Sequence, residues 1–187
     1  MSFQTADGIR VFRRADWGAK PPKGAYSRQP YKRSLVYHHG GDEGKPRPTF
    51  DAMAKTLRSW QAFHQGPQRG WLDIGYHFLM DGLGRIYVGR PSTAIGAHVL
   101  EENTGRLGLC FVQDGRRYGL TDDQEETVRK LFKGPHRLLG LPALKDLARH
   151  SGDDWGVFGH REVPRQATEC PGDKIAADMH RIIRSFT

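Results

Sequence analysis

The sequence predicts an α/β fold, a single domain with a mixed central β-sheet flanked by helices. Three observations lead there. Short apolar segments at 34–39, 74–81 and 106–113 have strand character, whereas 49–65, 121–139 and 174–186 have helical signals. The two kinds alternate irregularly along the chain. A turn at Asp81-Gly-Leu-Gly84 joins two strand segments as a hairpin, so antiparallel and parallel neighbours share the sheet.

The elements follow in order. Residues 1–30 form an N-terminal arm, and 18–30, with Pro21, Pro22, Gly24 and Pro30, are irregular. Ser34 to His39 is a buried strand ended by a loop with Gly40, Gly41, Gly44, Pro46 and Pro48. Thr49 caps a helix to about Gln65, with Phe50, Met53, Leu57 and Trp60 on one stripe. Gly66 to Gly70 breaks it. Residues 74–81 and 85–89 form the hairpin, and 95–99 and 106–113 are further strands. Thr121 and Gln124 form a capping box opening the next helix, which Gly134-Pro135 interrupts before a piece ending near Leu139. Pro142 to His150 is a short helix, Val157 to His160 a strand end, and Lys174 to Phe186 a helix with Ile175, Met179, Ile182, Ile183 and Phe186 inward.

Composition narrows the function. The 187 residues carry 29 Lys+Arg and 21 Asp+Glu, a net charge of +8, and mean hydropathy is −0.66. A chain of this length buries roughly 70% of its unfolded surface, enough for a core without disulfides. No apolar run approaches the ~20 residues of a membrane helix, so no membrane insertion is expected. Met1 to Gly8 lacks a signal-peptide pattern, which predicts synthesis in the cytoplasm. A pI near 9.7 suggests a polyanionic partner such as nucleic acid, an anionic membrane or a bacterial wall, though the basic residues form no run. With no helix-turn-helix, zinc-finger or RNA-recognition pattern, nucleic acid is not the expected partner. The two cysteines, Cys110 and Cys170, are expected as free thiols, Cys110 in the core.

Nine histidines stand out, and their placement says more than their number. His38 ends a strand before a double glycine, and His160 ends another. Cys170 follows ten residues later in Cys-Pro-Gly. Strand ends leading into loops are where α/β folds place their sites. Two imidazoles and a thiolate suit Zn²⁺ with a fourth position open, although each residue alone could equally be a core residue. Strand alternation allows only one of Tyr76 and His77, and one of His38 and His39, to face a shared site. His98 is a third strand-borne histidine.

Five segments then carry a resemblance. They are Arg14-Ala-Asp-Trp17-Gly18; Leu35-Val-Tyr-His38-His39; Asp73-Ile-Gly-Tyr76-His77-Phe with Asp81-Gly-Leu-Gly-Arg-Ile-Tyr87-Val-Gly89-Arg90; Gly96-Ala-His98 with Asn103-Thr-Gly-Arg-Leu-Gly108; and Gly159-His160-Arg161-Glu162 with Thr168-Glu-Cys170-Pro171-Gly172. In this order they resemble the zinc-dependent N-acetylmuramoyl-L-alanine amidases, the type 2 family shared by peptidoglycan-recognition proteins and phage lysozyme-type amidases. The resemblance implies that family's fold and one Zn²⁺ per chain, held by His38, His160 and Cys170. It implies catalytic roles for Tyr76, near the metal-bound water, and Thr168, facing the developing oxyanion. His98, Asn103 and Arg90 would bind substrate. The implied partner is bacterial peptidoglycan, cut between N-acetylmuramic acid and L-alanine. A phage endolysin acting as a monomer and reaching the wall through a holin-type pore fits the absent signal peptide. No separate wall-binding domain is visible, so residues 1–187 are expected to form one catalytic domain.

The chain departs from the family at two places. Gly40 follows the double histidine where Ser or Thr is usual. The interval from His160 to Cys170 is about two residues longer, with Pro164 and Gln166 in the extra length. Binding-only relatives typically replace the cysteine with serine, so Cys170 favours an enzyme over a non-catalytic peptidoglycan-binding module. A glycosidase would need two site carboxylates, and Glu101/Glu102, Asp122/Asp123 and Asp153/Asp154 sit in loops or at helix starts. Glu162, the carboxylate nearest a ligand, is expected to be structural.

Overall fold

The computed structural model describes residues 2–41, 44–148 and 156–187. Among these, seven strands form one mixed sheet in the order β1-β2-β5-β4-β6-β3-β7. They are β1 (Phe3–Gln4), β2 (Arg10–Phe12), β3 (Ser34–His39), β4 (Phe78–Met80), β5 (Ile86–Val88), β6 (Arg106–Phe111) and β7 (Gly156–Gly159). The helices are α1 (Phe50–Gln65), α2 (Asp122–Lys133), α3 (Leu144–Ala148) and α4 (Asp173–Arg184). β3 runs parallel to both β6 and β7, and β4 parallel to β6. The β4–β5 hairpin is antiparallel, as its turn requires. No helix among the described residues is long and apolar enough to cross a membrane.

Alternation along the strands sorts the core into two layers. Leu35, Tyr37, Leu107, Leu109 and Phe111 pack against Val128, Leu131 and Phe132 of α2, Leu144 of α3, and Ile175, Met179 and Ile182 of α4. The other face turns Leu79, Tyr87, Cys110 and Val112 toward Met53, Ala54 and Leu57 of α1 and toward Trp17. The same parity turns His38 onto the α1 face beside Cys110, its partner in register, whereas His39 projects oppositely from the strand yet still borders the same cleft at the strand end.

Local signals set the helix starts. The Thr49 hydroxyl accepts from the Ala52 amide at 3.3 Å. Thr121 and Gln124 complete a reciprocal capping box, with bonds of 3.2 and 2.9 Å. The structure differs from the sequence expectation in four places. First, the arm of residues 1–30 contains the edge strand β1 and its neighbour β2, both too short to show a periodicity; Ile9 and Val11 are buried there. Second, the strand expected at 74–81 begins only at Phe78. Third, 95–99 is not a strand: Ile95 and Ala97 donate to Ser27 and Gly75 in neighbouring loops. Fourth, the piece ending at Leu139 is one 3-10 turn, and the helix expected over 142–150 is α3; residues 149–155, including Asp153 and Asp154, lie outside the described residues.

Asp73 anchors the start of 74–77, where Tyr76 and His77 still bond to the backbone of Arg90, Gly89 and Gly108 although the regular strand begins at Phe78. The Asp73 carboxylate is fully buried and serves four partners. Arg14 pairs with it at 2.8 Å, Gln61 of α1 donates at 2.6 Å, the Ile74 amide donates at 2.7 Å, and Tyr26 donates its hydroxyl. Arg90 closes the same loop from behind, donating to the carbonyls of Ile74 (2.7 Å) and Ile95 (2.9 Å). One carboxylate thus ties the arm, α1 and the loop carrying Tyr76 together.

Removing a partner from a buried charge cluster leaves the rest uncompensated, which costs about 3 kcal/mol or more. Asp73→Ala is therefore expected to lower the unfolding free energy by about that amount in urea titrations, and Asp73→Asn by less. His77 gives a pH dependence. Its ring is buried, accepts from the Gly108 amide at 2.9 Å and lies 2.9 Å from the Ala94 carbonyl. Burial pulls its pKa down to about 4, so the native ring stays neutral while the unfolded one takes a proton near ~6.5. Its contribution is complete above that value and is lost as pH falls toward 4. Between pH 7.5 and 5 the parent is expected to lose about 2 kcal/mol more stability than His77→Gln; equal losses would contradict this.

Candidate metal centre

Three side chains from separated segments meet on the α1 face of the sheet. Register brings two together: β7 pairs with β3 through Tyr37 and Gly159, so the next residues, His38 and His160, lie side by side. Their rings are 4.5 Å apart between centroids. Cys170, in the loop entering α4, places its sulfur 3.6 Å from His38 Nδ1 and accepts from the His39 amide at 3.4 Å. One ligand atom from each of His38, His160 and Cys170 lies within 4.8 Å of the others.

Hydrogen bonds behind His38 fix its tautomer. His98 Nε2 faces the Arg106 carbonyl at 3.4 Å, and a carbonyl only accepts, so that nitrogen carries the proton. His98 Nδ1 is then a lone pair, and it lies 3.0 Å from His38 Nε2. His38 must donate there, which leaves its Nδ1 unprotonated toward Cys170. Glycines make room for the His98 ring: a Cβ at Gly108 would come within 2.8 Å of it, and one at Gly96 within 2.5 Å.

The electrostatics suit a cation. Burial, reinforced by His98 and His160, drives the His38 pKa well below the ordinary range, and burial lowers that of His160. Both rings therefore offer lone pairs at neutral pH. Burial pushes the Cys170 thiol up to about 12, so a bound cation must displace its proton. Two imidazoles and one thiolate, with no carboxylate in the cluster, form a borderline-soft set fitting Zn²⁺ rather than Mg²⁺ or Ca²⁺. The open side faces a cleft of about 320 Å³ lined also by His39, Gly40, Gly41, Trp60, Phe63, His64 and Tyr76.

Tyr76 reaches the cleft, its ring 5.2 Å from that of His38. Burial and the nearby Cys110 and Cys170 sulfurs hold its hydroxyl well above the ordinary phenol range, so it remains a donor. The other candidates stand further back. His98 is 8% exposed and lies behind His38 rather than along the cleft. Asn103 accepts from the amides of His98 (2.8 Å) and Val99 (3.0 Å), bracing that turn. Arg90 is occupied by backbone carbonyls. The Thr168 hydroxyl accepts from the Cys170 amide at 3.1 Å, and Thr168 is not among the lining residues. Glu162 is structural, bonded to the Gly159 amide and to His180.

Sequence reasoning missed the cleft wall formed by α1. Trp60, on the inward stripe as expected, packs half-buried against the α1-face core and also lines the cleft with Phe63, which is 47% exposed, and His64. His64 stacks on Trp71 at 4.7 Å. The available signal was the clustering of three rings in the last turns of one helix, beyond the Met53–Leu57 core stripe.

Comparison with known proteins gives consistent results. A family profile described as N-acetylmuramoyl-L-alanine amidase matches residues 27–173. Peptidoglycan-recognition protein LB of Drosophila melanogaster is 32% identical over 176 residues, covering 92% of this chain and 70% of that protein. Human N-acetylmuramoyl-L-alanine amidase is 33% identical over 175 residues, 93% of this chain but only 28% of the human protein. The structure of a variant Drosophila peptidoglycan-recognition protein LB in complex with tracheal cytotoxin superposes with a TM-score of 0.74 at 28% identity, covering 90% of this chain and 92% of that one.

Groups that orient a metal-binding histidine typically carry a 10–100-fold effect on affinity. His98→Ala is expected to weaken Zn²⁺ binding by about that factor in competition with a chromophoric chelator. Unchanged affinity would show that His98 does not orient His38.

Proposed function

The chain belongs to the N-acetylmuramoyl-L-alanine amidase family, and on that premise we propose that it is a zinc-dependent hydrolase of the bond between N-acetylmuramic acid and L-alanine in peptidoglycan. The observation carrying this reading is the convergence of His38, His160 and Cys170 at the floor of a cleft, with the Tyr76 ring beside them. When bound, zinc supplies Lewis acidity toward a carbonyl and lowers the pKa of a water.

The chain's own residues supply the rest. His38 and His160 present neutral imidazoles and Cys170 a thiolate, so the three ligands hold the ion at net +1. Tyr76 keeps its proton through the working pH range and donates a hydrogen bond where negative charge develops on the scissile carbonyl oxygen. No carboxylate among the described lining residues competes for that place. Trp60 and Phe63 offer apolar faces against which a sugar or lactyl group can pack, excluding water from the reacting bond. In this reading Thr168 supports the ligand loop through its bond to the Cys170 amide. We extend the proposal to lysis of the bacterial wall, in the manner of a phage endolysin. The net charge of +8 supports it, because wall phosphates and carboxylates attract a basic surface.

The test is product chemistry on purified peptidoglycan. New alanine amino termini without new reducing sugars, abolished by a chelator and restored by Zn²⁺, are the expected result. New reducing ends would indicate a glycosidase, and binding to the wall without product would indicate a recognition module. Tyr76→Phe is expected to lower turnover by about 10²–10³ while Zn²⁺ affinity stays the same. An unchanged rate would confine Tyr76 to the core.

A further inference from the structure

His160 needs the same service that His98 gives His38, and among the described residues Gln166 offers it. Gln166 Oε1 lies 3.3 Å from His160 Nε2. Gln166 sits within the long interval between His160 and Cys170, in a loop that turns sharply: Arg165, just before it, has φ of 63°. A non-glycine residue held in the left-handed region persists only where its surroundings enforce it.

Those surroundings are the segment 98–103. The Leu100 amide donates to Gln166 Oε1 at 3.2 Å, and Gln166 Nε2 donates to the Leu100 carbonyl at 3.1 Å. Arg165 pairs with Glu102 across the same seam. The paired contacts with Leu100 settle the amide's orientation: the atom toward His160 is an oxygen and accepts. Segment 98–103 also carries His98, and Asn103 braces it through the amides of His98 and Val99.

We propose that Gln166 is a positioning residue for the metal centre. It accepts a hydrogen bond from the Nε2–H of His160, which leaves Nδ1 as the lone pair offered to the cation. Segment 98–103 then supports both histidine ligands, His38 through His98 and His160 through Gln166. The inference rests on the reading of His38, His160 and Cys170 as a zinc site. It does not depend on which bond the protein cuts.

The experiment measures metal binding by the metal-free full chain. Zn²⁺ affinity is read by chelator competition, and ligand geometry by the visible spectrum of the Co²⁺-loaded protein. Gln166→Met preserves length and removes the acceptor. Gln166→Glu keeps an acceptor for His160 but cannot donate to Leu100. Gln166→Met is expected to weaken Zn²⁺ binding 10–100-fold and to shift the Co²⁺ bands. Gln166→Glu is expected to stay within a few-fold of the parent, with its spectrum. Parent-like affinity and spectrum in Gln166→Met would overturn the proposal. So would equal losses in both variants, because the tie to Leu100 alone would then explain them. A parent that binds Zn²⁺ but cuts no amide overturns the amidase reading and leaves this one intact.

Discussion

A buried imidazole must have both nitrogens served, and much of this structure follows from meeting that demand at His38. Its side chain is 1% exposed and faces no carboxylate, so the ring is held neutral. The front nitrogen looks toward Cys170 and the rear one toward His98. Housing the His98 ring requires bare backbone at Gly96 and Gly108, and sending its far nitrogen to the Arg106 carbonyl requires β6 to lie beside β3. The segment bearing His98 cannot be a strand, because it must turn under the ring it supports. Sheet order, two glycines and one irregular loop thus answer a single requirement.

How much of this the sequence disclosed depended on the reach of the interaction. Local effects were legible: the Thr49 and Thr121 caps, the β4–β5 hairpin turn and the alternation of β6 all appear where short-range pattern puts them. His38, His160 and Cys170 were marked by position at strand ends and before a helix, and the fold brings them together. Long-range interactions hid the rest. β1 and β2 total five residues, too few for periodicity to register, and they exist because Ile9 and Val11 find a sheet edge to cover. Ile74 and Gly75 have strand composition, yet they lie beside the Asp73 anchor, whose partners include Arg14 and Tyr26 far away in the chain, and regular pairing begins only at Phe78. The resemblance implies substrate contacts for Arg90 and Asn103; in the structure their side chains bond to backbone groups, a role the sequence does not reveal. Polar side chains that brace a loop and polar side chains that meet a ligand look alike in one dimension.

The distribution of ionisable groups is as selective as the ligand set. The buried carboxylate nearest the Tyr76 loop, Asp73, is saturated by Arg14, Gln61, Tyr26 and a backbone amide. Asp114, beside His39, is engaged by Arg116. Negative charge in this region is thereby neutralised before it reaches the cleft. The ligand atoms at the centre are two imidazole lone pairs and one thiol, with the Tyr76 phenol beside them, and it is these donors, not nearby carboxylates, that suit a cation.

The distance along the chain between these groups has a further consequence. His38 and Cys170 are 132 residues apart, and His160 arrives only with the parallel pairing of β3 and β7. Parallel strands joined across so long a separation close late in folding, because the entropy of the intervening loop must be offset first. No partly folded chain lacking that pairing presents the full ligand set. A cation that binds the finished site and not its precursors stabilises the native state by RT ln(1 + [L]/Kd), about 4 kcal/mol at a thousandfold excess over Kd. On the proposed zinc reading, metal supply would then act as a check on completed folding, with metal-starved chains the first to be lost to proteolysis.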